Sequence, residues 1–136
     1  MKKIVIAVCG IVKNKNKFLL TQRAEPRKYR GKWQFPGGAL EDNESFIDCL
    51  KRELKEELNI EITNPVLIPK KFVKNEDNFH LVMVCYLCRL KNKVNNFLFD
   101  KETLNYGWFR YREIVKLDYL DLLDKIAAEA NKIKYT

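Results

Sequence analysis

The stretch Gly38–Ile60, GALEDNESFIDCLKRELKEELNI, constrains this chain more than any other. It places Arg52, Glu53, Glu56 and Glu57 within one short run, behind the glycine turn Pro36-Gly37-Gly38. An α-helix advances about 100° per residue, so Glu53, Glu56 and Glu57 fall within an arc of about 100°. Carboxylates crowded in this way repel one another. A hard divalent cation relieves the repulsion and prefers oxygen ligands. The residues therefore point to a magnesium-type site on one helix edge, used to hold a phosphate-bearing substrate. Taken alone, the cluster has a plainer reading as a solvated acidic face paired with Lys51 and Lys55 at helical spacing.

The helix has the marks of a packed element. Asp42-Asn43-Glu44-Ser45 opens it, and Ser45 with Asp48 forms a capping box. Phe46, Ile47, Leu50, Leu54 and Leu58 make an apolar stripe about 120° wide beside the acidic edge. Strands are expected over Lys3–Val12, Phe18–Arg23, Ile60–Val73, Phe79–Leu90 and Thr103–Tyr111, with a short extended piece at Trp33–Phe35. A basic loop covers Ala24–Lys32, and Asp118–Ile133 reads as an amphipathic closing helix. Mixed strands with a helix on either side predict an α/β fold, a sandwich around a central mixed β-sheet. At 136 residues the chain suits a single domain, residues 1–136.

With 46% apolar residues the chain is globular rather than disordered. Its net charge of +8 favours polyanionic partners. Because the lysines are scattered, a solubilising surface fits better than a nucleic-acid groove. Cys85 and Cys88 form a nominal CxxC, but i and i+3 on a strand point to opposite faces and cannot share a zinc without a bulge. Reduced thiols at Cys9, Cys49, Cys85 and Cys88 suit a cytoplasmic protein. Met1-Lys2-Lys3 before Ile4–Val12 has the outline of a secretion signal. The apolar run is too short to span a bilayer and no cleavage site follows, so a first strand and no membrane partner are expected.

The spacing Gly38, five residues, Glu44, seven residues, Arg52-Glu53-Leu54-Lys55-Glu56-Glu57-Leu58-Asn59-Ile60 resembles the signature of the Nudix hydrolases. Only Asn59 departs, standing where the family has a helix-ending glycine, and asparagine is the next best residue for that left-handed position. The resemblance implies an α/β/α sandwich and a pyrophosphohydrolase dependent on Mg²⁺, with Mn²⁺ as a substitute. It implies that Glu53, Glu56, Glu57 and the Gly37 carbonyl bind the metal. Glu53 would act as general base, Glu44 would tie down Arg52, Arg52 would orient the carboxylates, and Glu102 would supply a further carboxylate from the loop before the last strand.

The flanks, Thr21-Gln22-Arg23-Ala24 and Gly31-Lys32-Trp33-Gln34-Phe35-Pro36-Gly37-Gly38, resemble the MutT-like branch. That branch converts nucleoside triphosphates, oxidised purine nucleotides among them, to monophosphate and pyrophosphate. Arg23, Phe35 and Gly38 would then contact the substrate. Asp118, with Tyr119 as competitor, would read the base edge, and His80 is a further candidate contact. Ala39 stands where many relatives carry a lysine. Leu19-Leu20-Thr21-Gln22-Arg23 with Arg27 and Gly31 resembles the coenzyme A branch at a spacing one residue short, and a sugar-nucleotide pyrophosphatase is the companion alternative. Glu76 and Asp77 weigh against the ADP-ribose and dinucleoside-polyphosphate branches. From a different class comes a non-catalytic module that binds nucleotide or RNA. The expected partner is a small nucleotide, and the expected assembly a monomer or homodimer.

Overall fold

Two long strands form the spine of the protein. In this computed structural model, which describes residues 2–94 and 97–135, β1 (Lys3–Asn14) runs parallel to β7 (Phe79–Leu90), with Cys9 opposite Cys85. Both strands are rich in β-branched and apolar residues, and alternation sends successive side chains to opposite faces. Val8 and Val12 enter one core, Cys9 and Ile11 the other. Between them in the chain lie β2 (Lys17–Arg23), β3 (Trp33–Gln34), β4 (Gly37–Ala39), helix α1 (Phe46–Leu58), β5 (Ile62–Leu67) and β6 (Phe72–Asn75). After them come β8 (Thr103–Phe109), a short α2 (Tyr111–Ile114) and α3 (Leu123–Lys132). β4 pairs antiparallel with β1, while β5 and β6 pair antiparallel with opposite halves of β7. A hairpin turns β1 into β2, which carries β3 and β8 on its two edges.

Helix α1 covers the face of Val8, Val12, Leu19 and Val84, and α3 covers the face of Cys9, Ile11, Leu20 and Leu87. The result is the expected α/β/α sandwich around a mixed sheet. Gly10 sets how closely α1 approaches: a Cβ there would lie 3.0 Å from Cδ1 of both Leu50 and Leu54. Gly10→Ala is therefore expected to destabilise the protein by about 1–3 kcal/mol, read as a lower midpoint of thermal unfolding.

Several element boundaries differ from the sequence expectation. The closing helix begins at Leu123 rather than Asp118, because the Trp33 amide donates to the Asp118 carbonyl and the Leu120 amide to the Trp33 carbonyl. This extended pairing takes up the intervening residues. The Ile60–Val73 stretch divides into β5 and β6, and Tyr111 opens α2 instead of ending β8. On α1, Phe46 is 38% exposed and fully buried Cys49 joins the inner stripe, so the apolar face is rotated toward Cys49. Ser45 Oγ accepts from the Asp48 amide at 3.0 Å, and Asn59 takes the left-handed conformation at φ 55°, ψ 44°. Cys85 and Cys88 fall in different cores, as strand alternation requires, and all four cysteines are free thiols. The expected first strand is β1, extended to Asn14; Met1 lies outside the described residues. Among the described residues no helix is long and apolar enough to cross a membrane.

Candidate functional site

Leu50, Leu54 and Leu58 are fully buried and pin α1 to the sheet, which leaves Glu53 and Glu57 facing the glycine turn. Both glycines are needed there. Gly37 has φ +155°, and a Cβ on it would lie 2.1 Å from the Val8 carbonyl oxygen. A Cβ on Gly38 would lie 2.4 Å from the Glu53 carboxyl carbon. Without these two hydrogens-only positions, the turn could not lie between β1 and α1.

The three glutamates occupy three depths. Glu57 is 7% exposed; its Oε1 accepts from the Thr21 hydroxyl and its Oε2 from the Gly37 amide, both at 3.1 Å. Burial pushes its pKa up to about 7, against those two hydrogen bonds, and the charges of Asp100 and Glu53 add to the rise. Burial also raises the Glu53 carboxyl, with Arg52 opposing and the charges of Glu56 and Glu102 adding. Glu56 lies outermost, its side chain 58% exposed.

Arg52 organises the upper part of the site. Its Nε and Nη2 donate to the two Glu44 oxygens at 2.6 and 3.0 Å, the forked geometry that suits a carboxylate. Its Nη1 reaches Glu53 Oε1 at 2.9 Å, Glu56 Oε2 at 3.2 Å and Glu41 at 3.2 Å, and its Nη2 donates to the Ala39 carbonyl. The guanidinium pulls the Glu44 carboxyl down to about 2. Glu44 thus anchors Arg52, and Arg52 ties α1 to the end of β4.

In this arrangement Arg52 draws Glu53 and Glu56 one way, while Thr21 and Gly37 hold Glu57 the other way. Among the described residues no three acidic, histidine or cysteine side chains converge on one point. The donor chemistry nevertheless fits a hard divalent ion, since every group is an oxygen. Glu57 in particular is a buried carboxylate that no cationic side chain among the described residues pairs with.

Beside Gly37 and Gly38 opens a cavity of about 310 Å³, lined on its apolar side by Phe35, Phe79, Leu81 and Met83 and reached by Arg23 and Asp121. Arg23, Phe35 and Gly38 are brought together at this cavity. His80 is not: the lining takes the odd-numbered residues of β7, and His80 belongs to the other face of the strand. Asp118 also lies outside the lining, paired with Lys32 at 2.8 Å, and Asp121 stands in the cavity instead. Glu102 faces an adjoining concavity that shares Arg23 with the first. Thr21 stands in the flank motifs without a role of its own, and Lys74 and Asp121 belong to no motif. Alternation along β2 and β7 signals which residues share a face, but only the packed chain brings Lys74 within 2.7 Å of Asp121 and of Glu76.

The family model described as NUDIX domain matches residues 1–130. The 8-oxo-dGTP diphosphatase of Proteus vulgaris is 42% identical over 67 residues, 49% of this chain and 60% of that protein. The CTP pyrophosphohydrolase of Escherichia coli (strain K12) is 43% identical over 61 residues, 45% of each chain. The chain thus spans about half the length of these curated relatives. A NUDIX hydrolase from Nitrosomonas europaea superimposes with a TM-score of 0.82 at 19% identity over 98% of both chains, which shows the shared fold. A family model that runs through both the glycine turn and the glutamate helix, joined to that fold, establishes that this chain belongs to the NUDIX domain family.

Proposed function

We propose that the protein hydrolyses a pyrophosphate bond in a nucleoside triphosphate, releasing nucleoside monophosphate and pyrophosphate. The observation that carries this reading is the meeting of the Glu53–Glu57 edge with Gly37–Gly38 at the mouth of an apolar cavity. At about 310 Å³ that cavity is at the lower end of small-ligand clefts and suits a nucleobase. The curated relatives named for 8-oxo-dGTP and CTP support the substrate class.

Each residue contributes in its own way. Phe35 with Leu81 and Met83 offers apolar surface to the base, and Arg23 and Asp121 offer polar atoms at its edge. Glu53, Glu56, Glu57 and the Gly37 carbonyl are the oxygens we assign to a magnesium ion, with manganese as substitute. When bound, that ion neutralises phosphate charge and acidifies water. Glu53, whose carboxyl burial raises, accepts the proton of the attacking water. Arg52 keeps one Glu53 oxygen occupied and so orients the other, and Glu44 holds Arg52 in place. Glu102 adds negative charge beside Glu53. The free thiols suit a reducing cytoplasm.

The test is a magnesium-dependent screen over unmodified and oxidised nucleoside triphosphates, coenzyme A and sugar nucleotides, with products separated by chromatography. Equal amounts of monophosphate and pyrophosphate are expected. Products from coenzyme A alone would move the assignment to the other branch, and no consumption of any nucleotide would remove it.

One observation favours a second reading. A concavity of about 620 Å³ at the far ends of β1 and β7 gathers Lys13, Lys15, Arg89, Lys91 and Lys93 beside Trp108. Cations with an aromatic surface suit single-stranded nucleic acid. Salt-sensitive RNA binding without release of phosphate would favour a binding module. The complete set of glutamates places the enzyme first.

A further inference from the structure

We propose that the concavity between the loop Arg23–Arg30 and Glu102 is a polyphosphate subsite that takes the terminal phosphates of the substrate and the pyrophosphate that leaves. The inference rests on the nucleoside triphosphate reading above. It assigns binding roles to Arg27 and Arg30, which the motif does not include.

The concavity measures about 710 Å³ and is lined by Arg23, Arg27 and Arg30 on one side and Glu102 on the other. Its wall is a built loop. The Gly31 amide donates to the Arg23 carbonyl at 2.8 Å, the Arg23 amide to the Lys32 carbonyl at 2.9 Å, and the Ala24 amide to the Glu102 carbonyl at 2.7 Å. Two of the guanidiniums are oriented by neutral groups. Arg23 Nε donates to the Glu25 carbonyl and its Nη1 to Gln34, while Arg30 Nη1 donates to the Ala24 carbonyl. Both guanidiniums keep N–H groups free of these bonds, and Arg27 lines the same concavity; a guanidinium presents its donors in a fork that matches phosphate oxygens.

The charge balance distinguishes these arginines from every other cation at the site. Arg52 is surrounded by Glu41, Glu44, Glu53 and Glu56. Lys74, at the rim of the base cavity, is held between Glu76 and Asp121. Among the described residues Arg23, Arg27 and Arg30 pair with no carboxylate, although Glu25 and Glu102 share the lining. Ala39, directly after the glycine turn, brings no cation from the other side. The uncompensated positive charge of the site therefore sits on this loop.

Continuity fixes the direction of the chain of phosphates. Arg23 lines both the base cavity and the arginine concavity. Glu102 lines the second and acts electrostatically on Glu53. A nucleotide with its base against Phe35 thus passes Arg23 and the Glu53 edge before its last phosphates reach Arg27 and Arg30. Charge-assisted bonds form there with the γ-phosphate, which a nucleoside diphosphate lacks.

The experiment measures calorimetric binding of tripolyphosphate to the full chain at low ionic strength, and kcat/KM for a triphosphate and its matching diphosphate. The forms compared are wild type, Arg27→Ala/Arg30→Ala and Arg27→Lys/Arg30→Lys. The alanine variant is expected to bind tripolyphosphate about tenfold more weakly and to lose about tenfold in kcat/KM for the triphosphate, with less than about twofold for the diphosphate. The lysine variant should fall between, since it keeps charge without the fork. Both residues are exposed, so an unchanged unfolding midpoint is expected. Equal losses on the two nucleotides, or wild-type binding no tighter than that of the alanine variant, would overturn the subsite. Arginine-dependent tripolyphosphate binding with no nucleotide consumed by wild type would instead leave the subsite standing and refute the hydrolase reading.

Discussion

Glu57→Gln is expected to abolish turnover and, at the same time, to make the metal-free protein more heat-stable at pH 8. Glu57 is nearly enclosed, and burial lifts its carboxyl from 4.5 to about 7. Because the folded-state value is the higher one, the folded protein holds more protons than the unfolded chain between the two values. The contribution of Glu57 to stability is therefore greatest below about pH 4.5, falls as pH rises toward 7, and stays at its lowest above that. A shift of that size costs about 3 kcal/mol at pH 8. Glutamine is neutral and removes the cost, but its single oxygen accepts from only one of Thr21 and Gly37, which returns about 1–2 kcal/mol. The net gain is about 1–2 kcal/mol, a rise of a few degrees in the unfolding midpoint. Near pH 4.5, where the folded wild-type carboxyl is protonated and the unfolded one half so, the gain should give way to a loss of about 1 kcal/mol from the missing hydrogen bond.

Turnover should nonetheless drop by about a thousandfold or more, because the oxygen lost is one we assign to the metal. Glu53→Gln should lose a similar factor. Thermal scans with a chelator at pH 4.5 and pH 8, beside steady-state rates, check both halves. A variant that keeps near wild-type turnover would remove Glu57 from the chemistry. One that is less stable than wild type at pH 8 would show that its charge is compensated in the fold.

The second large effect separates the two glycines of the turn. In Gly37→Ala the new methyl meets the backbone of β1, with the Val8 carbonyl oxygen 2.1 Å away, at a φ that L side chains rarely adopt. Backbone of a paired strand cannot step aside, so a loss of about 3 kcal/mol or more is expected, with protein recovered poorly folded. In Gly38→Ala the three atoms nearest the methyl all belong to the end of the flexible Glu53 side chain. That carboxylate can swing away at little cost in stability, but it leaves the position that Arg52 and the turn define. An unfolding midpoint close to wild type with about a hundredfold lower kcat is expected. Equal destabilisation by the two substitutions would contradict this division between fold and site.

Much of the fold is legible in local pattern. Ser45 and Asn59 mark the ends of α1 because a cap needs only a side-chain oxygen at one end and a tolerated left-handed residue at the other. The separation of Cys85 from Cys88 follows from strand alternation alone. The start of the closing helix was not legible. Asp118–Leu120 has helix-compatible residues, yet Trp33, distant in sequence, offers backbone partners that only the assembled sheet brings close. The base-edge candidates were displaced for the same reason: once Asp118 pairs with Lys32, Asp121 reaches the cavity from the next stretch.

Helical periodicity placed Glu53, Glu56 and Glu57 on one edge from residue spacing, since that relation depends on nothing beyond the helix itself. Packing decided what each of them became. Glu57 lies buried with a raised pKa and Glu56 stays in solvent, because Thr21 and Gly37 close over one and not the other. Packing likewise neutralised Arg52 and left Arg23, Arg27 and Arg30 uncompensated. Charge can be counted along a chain, but desolvation and pairing depend on which distant segments fold against it.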